Sequence, residues 1–148
     1  MRTRFCPTPA SAFSGDGAAI AGGRWNRKGT RAVYASSSRS LAILEILATI
    51  DRSDAPADYA FAGALLEEAD ALRLPSLPSG WRSAVRSEAT VETGQRFIAQ
   101  GAALALAVPS AIVPEELNYL INPLHSRFAA VKIAKTFEPF AFDERIFT

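Results

Sequence analysis

The chain has 148 residues, 49% of them hydrophobic and 21% charged, which is typical of one globular domain over residues 1–148 and excludes a disordered chain. Its single cysteine, Cys6, excludes an internal disulfide, fits a reducing compartment and is interpreted as an incidental thiol. The longest apolar run, residues 101–108, is too short to cross a bilayer, and no signal-peptide pattern is visible, so we expect a cytoplasmic protein with no membrane partner.

The elements predicted for the N-terminal half are two strands and a helix. In chain order they are irregular chain over residues 7–23, a strand over 31–35, a helix from Ser36–Ser38 to about Ile50, a strand from Tyr59 to Leu66, and a long loop marked by Pro75, Pro78 and Gly80. The three serines predict the start of the helix because a serine hydroxyl can cap the free backbone N–H groups of a first turn.

The C-terminal half predicts a second helix and several short strands. In chain order they are a helix from Thr90 to Gln100, a buried strand from Leu104 to Val108, a helical turn from Pro114 to Tyr119, and strands from Val131 to Ile133 and from Phe137 to Phe142. Gly101 predicts the end of the longer helix, because glycine readily adopts the left-handed conformation found there. This mixture of elements indicates an α+β fold.

The net charge of +1 hides an uneven distribution along the chain. Residues 1–40 hold seven Lys and Arg against one Asp, whereas residues 41–80 hold two Arg against seven acids. A basic segment of this kind indicates binding of phosphate groups, either of a small ligand or of nucleic acid. Because nucleic-acid-binding proteins are usually more basic overall, the composition favours a small anionic ligand.

The basic segment contains the sequence Gly22-Gly23-Arg24-Trp25-Asn26. Adjacent glycines allow a backbone to approach an anion closely, although they also suit a plain turn. The segment is not a phosphate-binding P-loop, because Lys28-Gly29-Thr30 reverses the required order and no helix pattern follows directly. Arg24 is able to hold a pyrophosphate through two parallel hydrogen bonds, or to stack on Trp25 at the surface.

Glu45 is the most unusual residue of the first predicted helix. On a helix, Leu41, Leu44 and Ala48 would share its face, and a lone carboxylate among apolar residues is costly unless it is paired, hydrogen-bonded or placed in a cleft. Such carboxylates are often functional, although a rotated helix would simply place Glu45 at the solvent edge. Tyr34, at the end of the preceding strand, would lie near it if the two elements pack together.

Two further residues complete the candidate set. Ser110 follows a buried strand, where a serine is either a functional group or an ordinary turn residue. His125 is the only histidine, and without a second histidine or a cysteine nearby it is interpreted as a loop residue. We therefore expect no metal site.

These motifs together resemble the RES-domain toxins of bacterial RES–Xre toxin–antitoxin systems, a family named after an Arg, a Glu and a Ser. The resemblance covers almost the whole chain. Its motifs here are Ala12-Phe13-Ser14-Gly15, Gly22–Asn26, Lys28-Gly29-Thr30, Val33-Tyr34, Ser40–Glu45, Val108–Pro114, Asn118–His125 and Phe140–Asp143. Arg27 and Ser126 stand where the family usually has proline.

The resemblance implies a fold like that of ADP-ribosyltransferases, with a split antiparallel sheet around a cleft for NAD+. It implies cleavage of the nicotinamide–ribose bond of NAD+, the substrate, with ADP-ribose passing to a protein, water or phosphate. By match, the catalytic residues are Arg24, Tyr34, Glu45 and Ser110. The residues expected to bind NAD+ are Gly23, Arg24, Asn26, Tyr34 and Ser110. A cognate antitoxin with an Xre-type helix-turn-helix domain is the expected partner, covering the active site.

Two other functions stay open. One is a nuclease or nucleic-acid-binding toxin that uses the basic N-terminal third, although only residues 24–31 resemble the required basic stripe. The other is an inactive domain that only binds a partner, which the presence of all four family residues argues against. The resemblance itself implies no direct contact with nucleic acid, since DNA binding would belong to the antitoxin.

Overall fold

The computed structural model describes residues 9–50 and 59–147, so Cys6 lies outside the described residues. The helices are α1 (Pro9–Ala12), α2 (Asp16–Ala21), α3 (Arg39–Leu47) and α4 (Glu88–Gln100). The strands are β1 (Val33–Ser36), β2 (Tyr59–Phe61), β3 (Ala64–Leu65), β4 (Ala71–Arg73), β5 (Ala105–Pro109), β6 (Leu117–Ile121), β7 (Lys132–Ile133) and β8 (Glu138–Phe140). Three single 3-10 turns cover Glu68–Asp70, Phe128–Ala130 and Glu144–Phe147. No helix in these ranges is long and apolar enough to span a membrane.

The main sheet has four strands in the order β1-β6-β5-β4. Its first three strands are antiparallel, whereas β4 runs parallel to β5 at the edge. Two separate antiparallel pairs, β2 with β8 and β3 with β7, lie outside this sheet. The mixed α/β composition predicted from the sequence is therefore confirmed, and the main sheet is mixed at one edge instead of being wholly antiparallel.

Alternation along the strands divides the sheet into two faces. On one face, Tyr34, Leu120 and Leu106 stand in register across three strands and pack with Trp25 and Phe97. On the opposite face, a second core forms around a different set of side chains. Its buried members are Phe13, Val33, Leu104, Ala105 and Ile121. We call these the Trp25 face and the Phe13 face.

Both longer helices follow their predicted signals. The Ser38 hydroxyl accepts the Leu41 N–H at 3.1 Å and caps α3, which ends at Leu47, slightly before the predicted Ile50. Helix α4 begins two residues earlier than predicted and ends at Gly101, whose φ of 57° is the left-handed conformation expected there.

One predicted strand and one predicted helical turn need correction. The strand predicted from Tyr59 to Leu66 is split into β2 and β3 around Ala62-Gly63, and each half pairs with a different C-terminal strand. The helical turn predicted from Pro114 to Tyr119 is wrong, because Leu117–Ile121 forms β6 in the centre of the sheet. Hydrogen bonding to strands on both sides outweighed the proline signal, which marks only a turn before the strand.

Candidate functional site

The segment Gly22–Asn26, which we call the glycine corner, is a tight turn stabilised by the hydrogen bonds of a buried side chain. The Asn26 side chain is 0% exposed, and its Nδ2 donates to the carbonyl oxygens of Ala18 and Thr30 at 2.9 and 3.0 Å. The backbone of Gly23 donates to the Asn26 carbonyl at 3.0 Å. Every polar atom of the Asn26 side chain is engaged within the protein, so its predicted contact with NAD+ stays a prediction.

Two glycines allow the glycine corner to pack closely against its neighbours, because a side chain at either position would clash. A Cβ on Gly23 would lie 2.5 Å from the Tyr34 hydroxyl oxygen, and a Cβ on Gly94 would lie 1.8 Å from the backbone oxygen of Trp25. Helix α4 therefore touches the corner backbone directly, and Trp25 is 3% exposed in the core between them. Gly94 was not among the predicted residues, because a glycine inside a helix carries no local signal that identifies its neighbour.

Tyr34 connects the sheet to the glycine corner. Its hydroxyl donates to Oδ1 of Asn26 at 2.7 Å and accepts the backbone N–H of Trp25 at 2.9 Å. Burial raises the pKa of this hydroxyl, and the positive charges of Arg86 and Arg24 partly oppose that rise. The group is therefore a neutral hydroxyl at physiological pH, and Tyr34 lines a pocket beside the corner.

Arg24 is half-buried at the edge of the same pocket. Its Nη1 donates to the backbone carbonyl oxygens of Trp81 and Ser83, at 2.9 and 2.8 Å. No hydrogen bond or ion pair within the described residues uses Nε or Nη2 of Arg24, and no carboxylate pairs with it. By contrast, the neighbouring Arg27 bonds both Glu88 and Glu92.

The loop over residues 81–86 brings two more cations to this region, neither of them among the predicted residues. Arg86 donates from Nη1 to the Gly23 carbonyl at 3.2 Å, and Arg82 donates from Nε to the Ala111 carbonyl at 3.0 Å. Both are exposed and lack a carboxylate partner within the described part of the chain. Arg24 and Arg86 thus lie at the glycine corner, and no carboxylate within the described residues forms an ion pair with either of them. This signal appears only once the loop is folded against the corner.

Helix α3 places Glu45 in the pocket on the Trp25 face. Leu41 is 0% exposed, whereas Leu44 is 41% exposed, so the helix is turned with Glu45 at the boundary between core and solvent. The carboxylate is hydrogen-bonded, because Oε1 accepts the Ser110 hydroxyl at 2.8 Å and Nδ2 of Asn118 at 2.5 Å. These bonds remove the cost of placing a charge beside apolar residues.

Ser110 lies behind Glu45 and is 0% exposed. Its oxygen also accepts the backbone N–H groups of Ile112 and Val113, at 3.0 and 3.1 Å. The Ser110 hydroxyl is therefore fully engaged by Glu45 and the two backbone groups, and its predicted contact with NAD+ stays a prediction. Asn118, which was not predicted, is the pocket residue that reaches Glu45 from β6.

The pocket brings three of the four family residues together. Its volume is about 70 Å³, and its lining residues are Arg24, Trp25, Tyr34, Glu45, Val108, Pro109, Asn118, Tyr119 and Leu120. His125 is elsewhere, in the turn after β6, with Nε2 at 3.1 Å from the Gly101 carbonyl oxygen, as expected of a loop residue. No group of three or more potential metal ligands exists within residues 9–50 and 59–147.

Comparison with known proteins identifies the family of the chain. A sequence model of the RES domain matches residues 2–143, and the chain belongs to that family. It is 40% identical to a "Toxin Res" of Photorhabdus laumondii over 80% of this chain and 77% of that protein. It is 37% identical to a "Toxin Res" of Yersinia enterocolitica over 93% and 91% of the two chains. It is 36% identical to a "Prs ADP-ribosylating toxin" of a Sphingobium species over 85% and 81%.

Proposed function

We propose that this protein is a toxin with an ADP-ribosyltransferase-like fold that cleaves the nicotinamide–ribose bond of NAD+. The observation that carries this proposal is the meeting of Arg24, Tyr34 and Glu45 in one pocket, with the carboxylate held by two hydrogen bonds. Relatives named as toxins, one of them as an ADP-ribosylating toxin, support it.

The chemistry needs a fixed negative charge more than it needs an acid. When the C–N bond breaks, its electron pair goes to the ring nitrogen, neutral nicotinamide leaves, and positive charge develops on the ribose. A preorganised carboxylate stabilises that charge, which is the role we assign to Glu45. Oε2 of Glu45 has no hydrogen-bond partner within the described residues and is available to the ribose hydroxyls.

The remaining contacts follow from the shape of the site. The pocket is much smaller than a dinucleotide, so the reacting end of NAD+ enters it and stacks on the Tyr34 ring. The pyrophosphate stays at the rim, where Nε and Nη2 of Arg24 offer two parallel donors. Arg86, fastened to the glycine corner through Gly23, supplies a second positive charge.

Ion pairing in the basic N-terminal third argues against the nucleic-acid alternative. Of its described arginines, Arg27, Arg31 and Arg39 are each paired with an acidic side chain. Neutralised arginines release few counterions from a nucleic acid and bind it weakly. The charge left free is concentrated around the glycine corner, which suits a small anion.

The test of this function uses NAD+ labelled at the adenylate phosphate, incubated with the purified protein and with cell lysate. We expect nicotinamide release, with the label in free ADP-ribose, in ADP-ribose phosphate, or on a protein target. The position of the label identifies the acceptor. Wild-type protein that leaves NAD+ intact in both mixtures would refute the proposal.

An enzyme that consumes NAD+ inside its own cell requires an inhibitor, and we propose an antitoxin with an Xre-type helix-turn-helix domain. An acidic segment of that partner would suit the unneutralised cations around the glycine corner and would exclude NAD+ from the pocket. Co-expression and pull-down would isolate the complex, and nicotinamide release would then be measured with increasing NAD+. A complex as active as the free protein would exclude occlusion of the pocket.

A further inference from the structure

We propose that Asn118 is a positioning residue for Glu45, and that Ser36 supports its amide from the other side through a hydrogen bond. The three residues form a chain of hydrogen bonds across two strands and a helix. The Ser36 hydroxyl donates to Oδ1 of Asn118 at 2.7 Å, and Nδ2 of Asn118 donates to Oε1 of Glu45 at 2.5 Å. Strand register makes this possible, because Ser36 and Asn118 are directly opposed in β1 and β6.

Ser110 donates the second hydrogen bond that Glu45 accepts, and its own contacts fix the direction of that bond. A hydroxyl has one proton and two acceptor positions, and the backbone N–H groups of Ile112 and Val113 occupy both acceptor positions. The Ser110 proton is therefore left for Oε1 of Glu45, at 2.8 Å. Ser110 and Asn118 together hold one carboxylate oxygen from two directions and leave Oε2 for a ligand.

The orientation of the Asn118 amide matters because its two ends have opposite effects. With Nδ2 toward Glu45, the amide donates to the carboxylate. If the amide were reversed, Oδ1 would face Oε1, and two acceptors at that separation repel each other. The Glu45 carboxylate can only accept hydrogen bonds and therefore favours the first arrangement, in which the Ser36 hydroxyl donates to Oδ1 and supports the amide.

This inference rests on the proposed function for its catalytic consequence, and its geometric content can be tested separately. The informative pair of variants is Asn118→Ala and Asn118→Asp. A residue that only fills space would tolerate the isosteric Asp better than Ala. If Asn118 acts as a donor to Glu45, Asn118→Asp should instead be less active than Asn118→Ala, because Asp places a second acceptor at 2.5 Å from Oε1.

For nicotinamide release we expect kcat to fall about 10-fold in Asn118→Ala and about 100-fold in Asn118→Asp, with KM changed less than about threefold. Ser36→Ala should reduce kcat about threefold, whereas Ser37→Ala, its exposed neighbour, serves as the control and should have no effect. Melting temperatures identify any variant that has lost its fold. An Asp variant at least as active as the Ala variant, or a loss confined to KM, would overturn the inference.

A crystal structure of the Asn118→Asp variant separates this inference from the proposed function. We expect the Glu45 side chain to turn away from position 118 while Ser110 keeps its backbone hydrogen bonds. If the carboxylate stays where it is in the wild type, Asn118 does not position it, whether or not the protein consumes NAD+. Failure of wild-type nicotinamide release would count against the function alone.

Discussion

The two faces of the main sheet each carry a pocket, and the larger pocket lies on the face without the family residues. The Phe13 face has a cavity of about 230 Å³, against about 70 Å³ on the Trp25 face. Both contain acidic and basic side chains, since Glu67, Glu68 and Arg73 line the larger cavity. The comparison shows that volume and charge alone do not distinguish the proposed active site from the other pocket.

The difference lies in how the carboxylates are held. Glu45 has its oxygen fixed by two side-chain donors, whereas Glu67 and Glu68 are exposed and make no side-chain hydrogen bond or ion pair within the described ranges. A mobile, hydrated carboxylate must reorganise before it can stabilise a developing charge, and a fixed one does not. The first two predictions below change the smaller pocket and use the larger one as their control.

The largest effect is expected from Glu45→Gln. The variant keeps the volume of the side chain but loses the charge that stabilises the ribose cation, so nicotinamide release should fall by about 10²- to 10³-fold. The matched control is Glu67→Gln in the larger pocket, which should leave the rate unchanged. Equal losses in the two variants, both with a normal melting temperature, would contradict the distinction between the two pockets.

Arg24→Lys should have a smaller effect, with kcat/KM reduced about 10- to 100-fold and little change in melting temperature. A lysine keeps the positive charge but cannot bond the Trp81 and Ser83 carbonyls while presenting two parallel donors to pyrophosphate. Arg73→Lys, at the other pocket, is the control. Full activity of the Arg24 variant would show that only charge is needed at this position.

Tyr34→Phe should keep the ring that faces the ligand and lose the hydroxyl that holds the corner. Because both hydrogen bonds to Trp25 and Asn26 disappear, we expect the free energy of unfolding to fall by about 1–2 kcal/mol. Urea unfolding measures this change. The control is Tyr119→Phe, on the neighbouring strand. Its loss of stability should be smaller, because no hydrogen bond within the described residues uses the Tyr119 hydroxyl. Equal losses in the two variants would show that the hydroxyl bonds of Tyr34 do not stabilise the glycine corner.

The smallest effect is a dependence of stability on alkaline pH. Burial raises the pKa of Tyr34 above its ordinary value of 10.0, so the folded protein holds this proton more tightly than the unfolded chain does. The resulting stabilisation is complete below pH 10 and is lost as the pH rises further. Urea unfolding at pH 9 and pH 11 should therefore show a smaller difference in Tyr34→Phe than in the wild type, and an unchanged difference would exclude this contribution.

Local signals in the sequence determined the helices and the identity of the central residues. Ser38 caps α3, Gly101 ends α4, and the anomaly of a carboxylate among leucines led to Glu45. The two helix predictions are confirmed because each depends on chemistry within a few residues along the chain, such as a hydroxyl reaching a nearby N–H or a glycine adopting a positive φ. The sequence also marked Arg24, Tyr34 and Ser110 as candidates, and the family resemblance implied their roles. Arg24 and Tyr34 line the pocket with Glu45.

Only the tertiary structure decided how those residues are used. Asn118 is 73 positions from Glu45, and Arg86 is 63 positions from Gly23, so no local pattern could pair them. Strand β6 was missed for the same reason, since its place in the sheet depends on hydrogen bonds to β1 and β5, which are distant in sequence. Side-chain packing and strand pairing of this kind depend on the whole fold, because a contact between remote residues forms only after the chain between them has been ordered.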